Sequence, residues 1–107
     1  MTTLDAFLAE VREMRCAPLL ALMTRGIAAL GPDVEPEVVS FGVRYRVAGQ
    51  ALCELSVFDD LFIARVGPRA AIEFRVRDET VALQALDSVV HEYTRSAHRP
   101  ASRLLEA

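Results

Sequence analysis

The residues of this chain that could take part in chemistry are few and scattered. Its two histidines, His91 and His98, lie two helical turns apart, and Asp87 precedes His91 by four residues. That spacing lines Asp87, His91 and His98 along one flank of a helix. The imidazoles then stand ~10 Å apart along the axis, too far to ligate one metal ion together, so Asp87 and His91 read as a surface pair. No Cys-x-x-Cys, His-Glu-x-x-His or glycine-rich phosphate loop occurs. Every basic residue is an arginine, which leaves Schiff-base chemistry without its lysine. Cys16 and Cys53 are too few for a disulfide framework and read as small buried hydrophobes in a reduced, cytoplasmic protein. Of the two, Cys16 is the one to test for reactivity, because Arg12 and Arg15 lie near it. No acid, base and nucleophile are tied together by spacing, and neither a metal nor a cofactor is expected.

The arginines offer recognition rather than catalysis. Arg44 and Arg46, and again Arg75 and Arg77, are two residues apart, so strand alternation turns each pair to one face. Glu54 and Glu73 share that outward face. Guanidinium groups grip carboxylate and phosphate through paired hydrogen bonds. These six residues are therefore a candidate binding face for a small anionic ligand or an acidic protein. The plain alternative is a solvated face with cross-strand ion pairs, each worth ~0.2–1 kcal/mol. Nucleic acid is not an expected partner: the chain carries a net charge of -3 and a pI near 5.3, and no outward aromatic is placed to stack on a base.

These residues need elements to hold them. Leu4, Phe7, Leu8, Val11 and Met14 recur at helical spacing, with Thr2 or Thr3 as cap. Pro18 opens a second helix that Gly31-Pro32 stops. Asp33–Glu37, with Pro36, reads as an acidic loop. From Val39 the period is two: Val39, Phe41, Val43, Tyr45 and Val47 face inward, then Gly49-Gln50 turns the chain. Strands over Ala51–Phe58, Leu61–Val66 and Ile72–Val76 follow, separated by Asp59-Asp60 and Gly67-Pro68-Arg69. Connections this short require antiparallel neighbours. Asp78 caps a last helix bounded by Pro100, with Val89, Val90 and Tyr93 in its apolar stripe. The expected fold is α+β: a two-layer sandwich of a four-stranded antiparallel meander with N-terminal helices and a C-terminal helix, in the order α-α-β-β-β-β-α. The third strand is apolar on both faces, which leaves Leu61 and Ile63 as a surface for a dimer or a ligand.

Leu30-Gly31-Pro32-Asp33-Val34 at a helix end, then Phe41-Gly42-Val43-Arg44-Tyr45-Arg46 and Ala51-Leu52-Cys53, resembles the YdhG-like / DUF1801–DUF5655 group of small uncharacterised bacterial domains. The resemblance spans roughly residues 19 to 95. It implies a helix leading into a meander and a closing helix, and it implies no activity.

Length and charge bound the rest. The chain of 107 residues has room for one α+β domain, 1–107. Residues 1–37 carry net -3, residues 38–77 net +2 and residues 78–107 net -2, so acidic ends flank a mildly basic sheet. No apolar run approaches the ~20 residues a bilayer requires, and no basic segment precedes one, so neither a membrane nor a secretory route is expected. Two functions remain. The first is a noncatalytic binding or interaction module, a homodimer in its simplest form. The second is a small enzyme or ligand pocket between helices and sheet, built from Tyr45, Tyr93 and His91.

Overall fold

A computed structural model describes the backbone over residues 3–68 and 72–106, and the side chains as far as Ser96. Helices α1 (Leu4–Glu10) and α2 (Ala17–Ala28) come first. The Thr3 hydroxyl caps α1 by accepting the Ala6 N–H at 3.1 Å. Pro18 sits in the first turn of α2, where its missing N–H costs nothing.

The acidic stretch expected as a loop is a strand. β1 (Val34–Val39), β2 (Gly42–Val47), β3 (Gln50–Val57), β4 (Phe62–Val66) and β5 (Ile72–Val76) pair antiparallel in chain order. The meander thus has five strands instead of four. Pro36 and two glutamates argue against an interior strand, but β1 lies at the sheet edge. There a proline and like charges are tolerated, and they discourage further pairing.

The strand expected from Val39 to Val47 is a hairpin, turned at Ser40 and Phe41. Phe41 has φ 58° and is 81% exposed, so it does not join Val43, Tyr45 and Val47 in the core. Gly42 approaches β3 so closely that a Cβ there would lie 2.0 Å from the Leu55 carbonyl oxygen. The next turn falls on Ala48-Gly49, one residue before the expected Gly49-Gln50. Both residues have positive φ, 52° and 76°, which is type I′ geometry. In β3, Cys53 opposes Tyr45 and Ala51 opposes Arg46, so Leu52 is a bulge and both Leu52 and Cys53 are buried. Asp59 and Asp60 lie in the β3–β4 connection as expected, and Arg69 of the last turn lies outside the described residues.

Helix α3 (Glu79–Glu106) starts after Asp78, whose Oδ1 accepts the Val81 N–H at 2.9 Å. It continues through Pro100, which was expected to end it. Phe7, Leu20, Met23 and Ile27 of the first two helices and Ala82, Ala85 and Val89 of α3 form one core with Val43, Tyr45, Leu55, Phe62, Ala64 and Val76. The last strand is less buried than its pattern implies. Val76 is buried, Phe74 is half-buried and Ile72 is 50% exposed, because β5 is the other edge of the sheet. Among the described residues, no helix is long and apolar enough to cross a membrane.

Candidate functional site

Strand register builds one row of charge across the open face of the sheet. Glu37 opposes Arg44, Arg44 opposes Glu54, Glu54 opposes Arg65 and Arg65 opposes Glu73. Signs alternate across all five strands. The Arg44 Nε donates to Glu54 at 3.1 Å, and its other arm lies 3.6 Å from Glu37. Arg46 reaches Glu37 at 3.9 Å, while Arg65 reaches Glu73 at 3.7 Å and donates to the Ser56 hydroxyl at 3.1 Å. These side chains are roughly one-third to one-half exposed, so each pair is worth at most ~1 kcal/mol.

The row redefines the arginine face. Arg44 and Arg46 lie on an interior strand, not on the edge where a four-stranded sheet would have put them, and the chain's own glutamates engage both. Arg75 and Arg77 are exposed, and neither makes an ion pair among the described residues. The two arginine pairs stay apart, with β3 and β4 between their strands. Phe62, Ala64 and Val66 face the helices, which turns Leu61 and Ile63 outward. Leu61 and Ile63 are half-buried and line a shallow cavity of about 290 Å³ with Phe58, Asp60 and Arg75. Glu37 and Arg65 are the members that the sequence reading missed. Recognition of β1 would have supplied the first, and the alternation of Arg65 with Glu54 and Glu73 the second.

Tyr45, Tyr93 and His91 do not converge. Tyr45 is buried with no partner for its hydroxyl among the described residues, and burial, with Cys53 beside it, pushes the phenol far above its ordinary range. Tyr93 donates to Asp33 Oδ1 at 2.9 Å, across the α2–β1 turn, and that hydrogen bond raises its pKa. His91 is exposed on α3, with Nδ1 2.9 Å from the Asp87 carbonyl and 3.6 Å from its carboxylate, the expected i,i+4 pair. The His98 side chain lies outside the described residues. Both cysteines are free and buried. Burial pushes the Cys53 thiol up to about 12, with Glu54 adding to the shift. Cys16 donates to the Phe58 carbonyl at 3.1 Å, and burial raises its pKa, with Asp59 and Asp60 adding to the rise. Its surroundings are thus acidic, and the activation by arginine that the sequence allowed does not occur.

One further group stands out. Glu92 on α3 is 4% exposed; one carboxylate oxygen meets Arg95, and the other, Oε1, is buried with no hydrogen-bond partner among the described residues. An unsatisfied buried acceptor costs ~1–3 kcal/mol, more when it is charged. Glu92 lines an open cavity of about 830 Å³ where α3 crosses the ends of β3 and β4, together with Gln50, Val66, Gly67, Ser88, His91 and Arg95. Its apolar-stripe spacing gave no sign of it, since Glu92 reads as helix surface in the sequence.

No family model matches the chain, and no curated protein or solved structure is similar to it.

Proposed function

We propose that this chain is a small noncatalytic interaction module that works as a homodimer, joined edge to edge through β5 in a reduced, cytoplasmic setting. In the two-layer arrangement the helices cover one sheet face, and the charge row on the other is already compensated within the chain. β1 is guarded by Pro36 and its glutamates. Among the described residues β5 pairs only with β4, so the far side of its backbone offers donors and acceptors that no described strand takes up. The observation that carries the reading is the symmetry of Ile72-Glu73-Phe74-Arg75-Val76 about Phe74. An antiparallel two-fold pairing centred there sets Glu73 against Arg75 of the partner subunit, twice, and sets Ile72 against Val76 of the partner subunit. The half-exposed Ile72 gains cover, and Arg75 gains the carboxylate it lacks. Any kinship with the YdhG-like group belongs to this proposal as a matter of fold alone.

The test is a charge swap read by sedimentation. Arg75→Glu places like charges opposite each other and makes the species an 11.8 kDa monomer. Glu73→Arg combined with Arg75→Glu restores the dimer, and Arg44→Ala with Arg46→Ala leaves it unchanged. A wild type that is monomeric at high micromolar concentration, or a double swap that stays monomeric, rejects the pairing. Arg75 and Arg77, which make no ion pair among the described residues, support a second reading, an acidic strand from another protein on the same edge. In that case wild type is a monomer, and the partner is lost when both arginines are replaced by alanine.

A further inference from the structure

Phe41 breaks a local rule without being buried in return. Its φ of 58° is a left-handed conformation that aromatic side chains rarely adopt, and 81% of the residue is exposed. The turn is held in place all the same, because the Phe41 carbonyl accepts the Val57 N–H at 2.7 Å. Strain kept on an outward-facing aromatic points to a working surface. Phe41 stands at the mouth of an open cavity of about 450 Å³ between α1 and the end of β1. Phe7 and Val11 are buried at its floor, whereas Met14, Val38 and Val39 are half-buried beside Phe41. A second open cavity shares Val38, Val39 and Ser40 with the first and continues along β1 past Pro36, so the two make one groove.

The groove is acidic. Glu10, Glu35 and Glu37 line it, and Arg46, the one cation among its described lining residues, lies 3.9 Å from Glu37. Glu10 and Glu35 are exposed and make no ion pair among the described residues; Arg12, close to Glu10 in the chain, lies against Glu13 instead. A second copy is a poor occupant, because residues 1–37 carry net -3 and two such surfaces would face like charge. Pro36 discourages an added strand, which leaves a helix. We propose that this groove takes a basic amphipathic helix of another protein. Its apolar stripe sits on Phe41, Met14, Val38 and Val39, and its cations face Glu10 and Glu35. Phe41 is the anchor, preset by its turn so that little freedom is lost on binding. The groove lies at the opposite edge of the sheet from β5, so each copy in a β5-paired dimer keeps it open.

The probe is a capped synthetic peptide of about 15 residues, with leucine on one helical face and lysine on the other. A counterpart with glutamate in place of lysine is the control, and both are followed by amide chemical shifts of the full chain. The lysine peptide produces saturable shifts at Glu10, Met14, Val38, Val39 and Phe41, weakened several-fold by added salt. The glutamate peptide produces none. Phe41→Asn suits the left-handed turn, keeps the urea midpoint at or above that of wild type and weakens binding at least tenfold. Glu10→Gln with Glu35→Gln weakens binding several-fold with Phe41 in place, which decides the matter if Phe41→Asn fails to fold. Arg75→Glu, which breaks the β5 pairing, leaves peptide binding unchanged, so the two readings fail separately. Equal binding of both peptides, shifts confined to other faces, or binding that survives Phe41→Asn overturns the proposal. A lowered midpoint in Phe41→Asn overturns it as well, and marks Phe41 as packing for its own chain. Self-association of wild type that Phe41→Asn abolishes also overturns it, and assigns the groove to a second copy.

Discussion

Tyr45 and Cys53 face each other across β2 and β3, and both hold protons that the unfolded chain would release. In the unfolded chain the Cys53 thiol ionises near 9.0, and in the native protein only near 12. The folded state therefore binds the extra proton in that window. The stability involved is fully present below pH 9.0 and is lost as the pH climbs towards 12, with Tyr45 acting in the same direction. Urea titrations from neutral to alkaline pH should show this fall, and Cys53→Val should reduce it, leaving the part that Tyr45 contributes above pH 10. The buried Tyr45 hydroxyl has no partner among the described residues, so Tyr45→Phe should raise stability by about 1 kcal/mol. A clear loss in the same titration would show that the hydroxyl is satisfied in solution. Cys16 and Cys53 should both react slowly with a thiol reagent at neutral pH until denaturant is added.

At the scale of elements, tight fits are concentrated where the sheet is most irregular. Gly42→Ala pushes a methyl into the Leu55 carbonyl and should cost more than about 3 kcal/mol, read as a lowered urea midpoint. Asp78→Ala removes the cap of α3 and should cost about 1 kcal/mol. The helix starts were legible in the sequence because Thr3, Pro18 and Asp78 act through short-range rules. β2, β3 and β5 were legible because period-two alternation survives wherever one face is buried, while β4, apolar on both faces, was delimited by the turns around it. β1 was not. Pro36, Glu35 and Glu37 oppose a strand on local propensity, and only the edge position, a tertiary fact, makes them acceptable. Phe41 misled for a related reason, since an aromatic residue in an alternating run looks inward until the turn around it is known. The arginines were legible as an outward face. Their pairing was not, because it depends on register, and Glu92 was hidden because its burial comes from the sheet ends beneath it.

Across the whole molecule, the alternating row from Glu37 to Glu73 acts as a single unit. Glu54→Ala removes the central carboxylate, leaves Arg44 with Glu37 and Arg65 with Glu73, and should cost at most ~1 kcal/mol at low salt and less at high salt. The same row exists only because strand order in space repeats strand order in the chain, and that order also governs how the protein is made. Each strand leaves the ribosome beside a neighbour that has just been synthesised, so the sheet closes by short loops at little entropic cost. The core does not close with it. Ala82, Ala85 and Val89 arrive only with α3, and at ~5–20 residues per second the 13 residues from Arg77 to Val89 take roughly 0.7–3 s to synthesise. For that interval the part of the apolar face that α3 covers stays open beside α1 and α2, and a chain truncated after Val76 would present it permanently to chaperones and proteases.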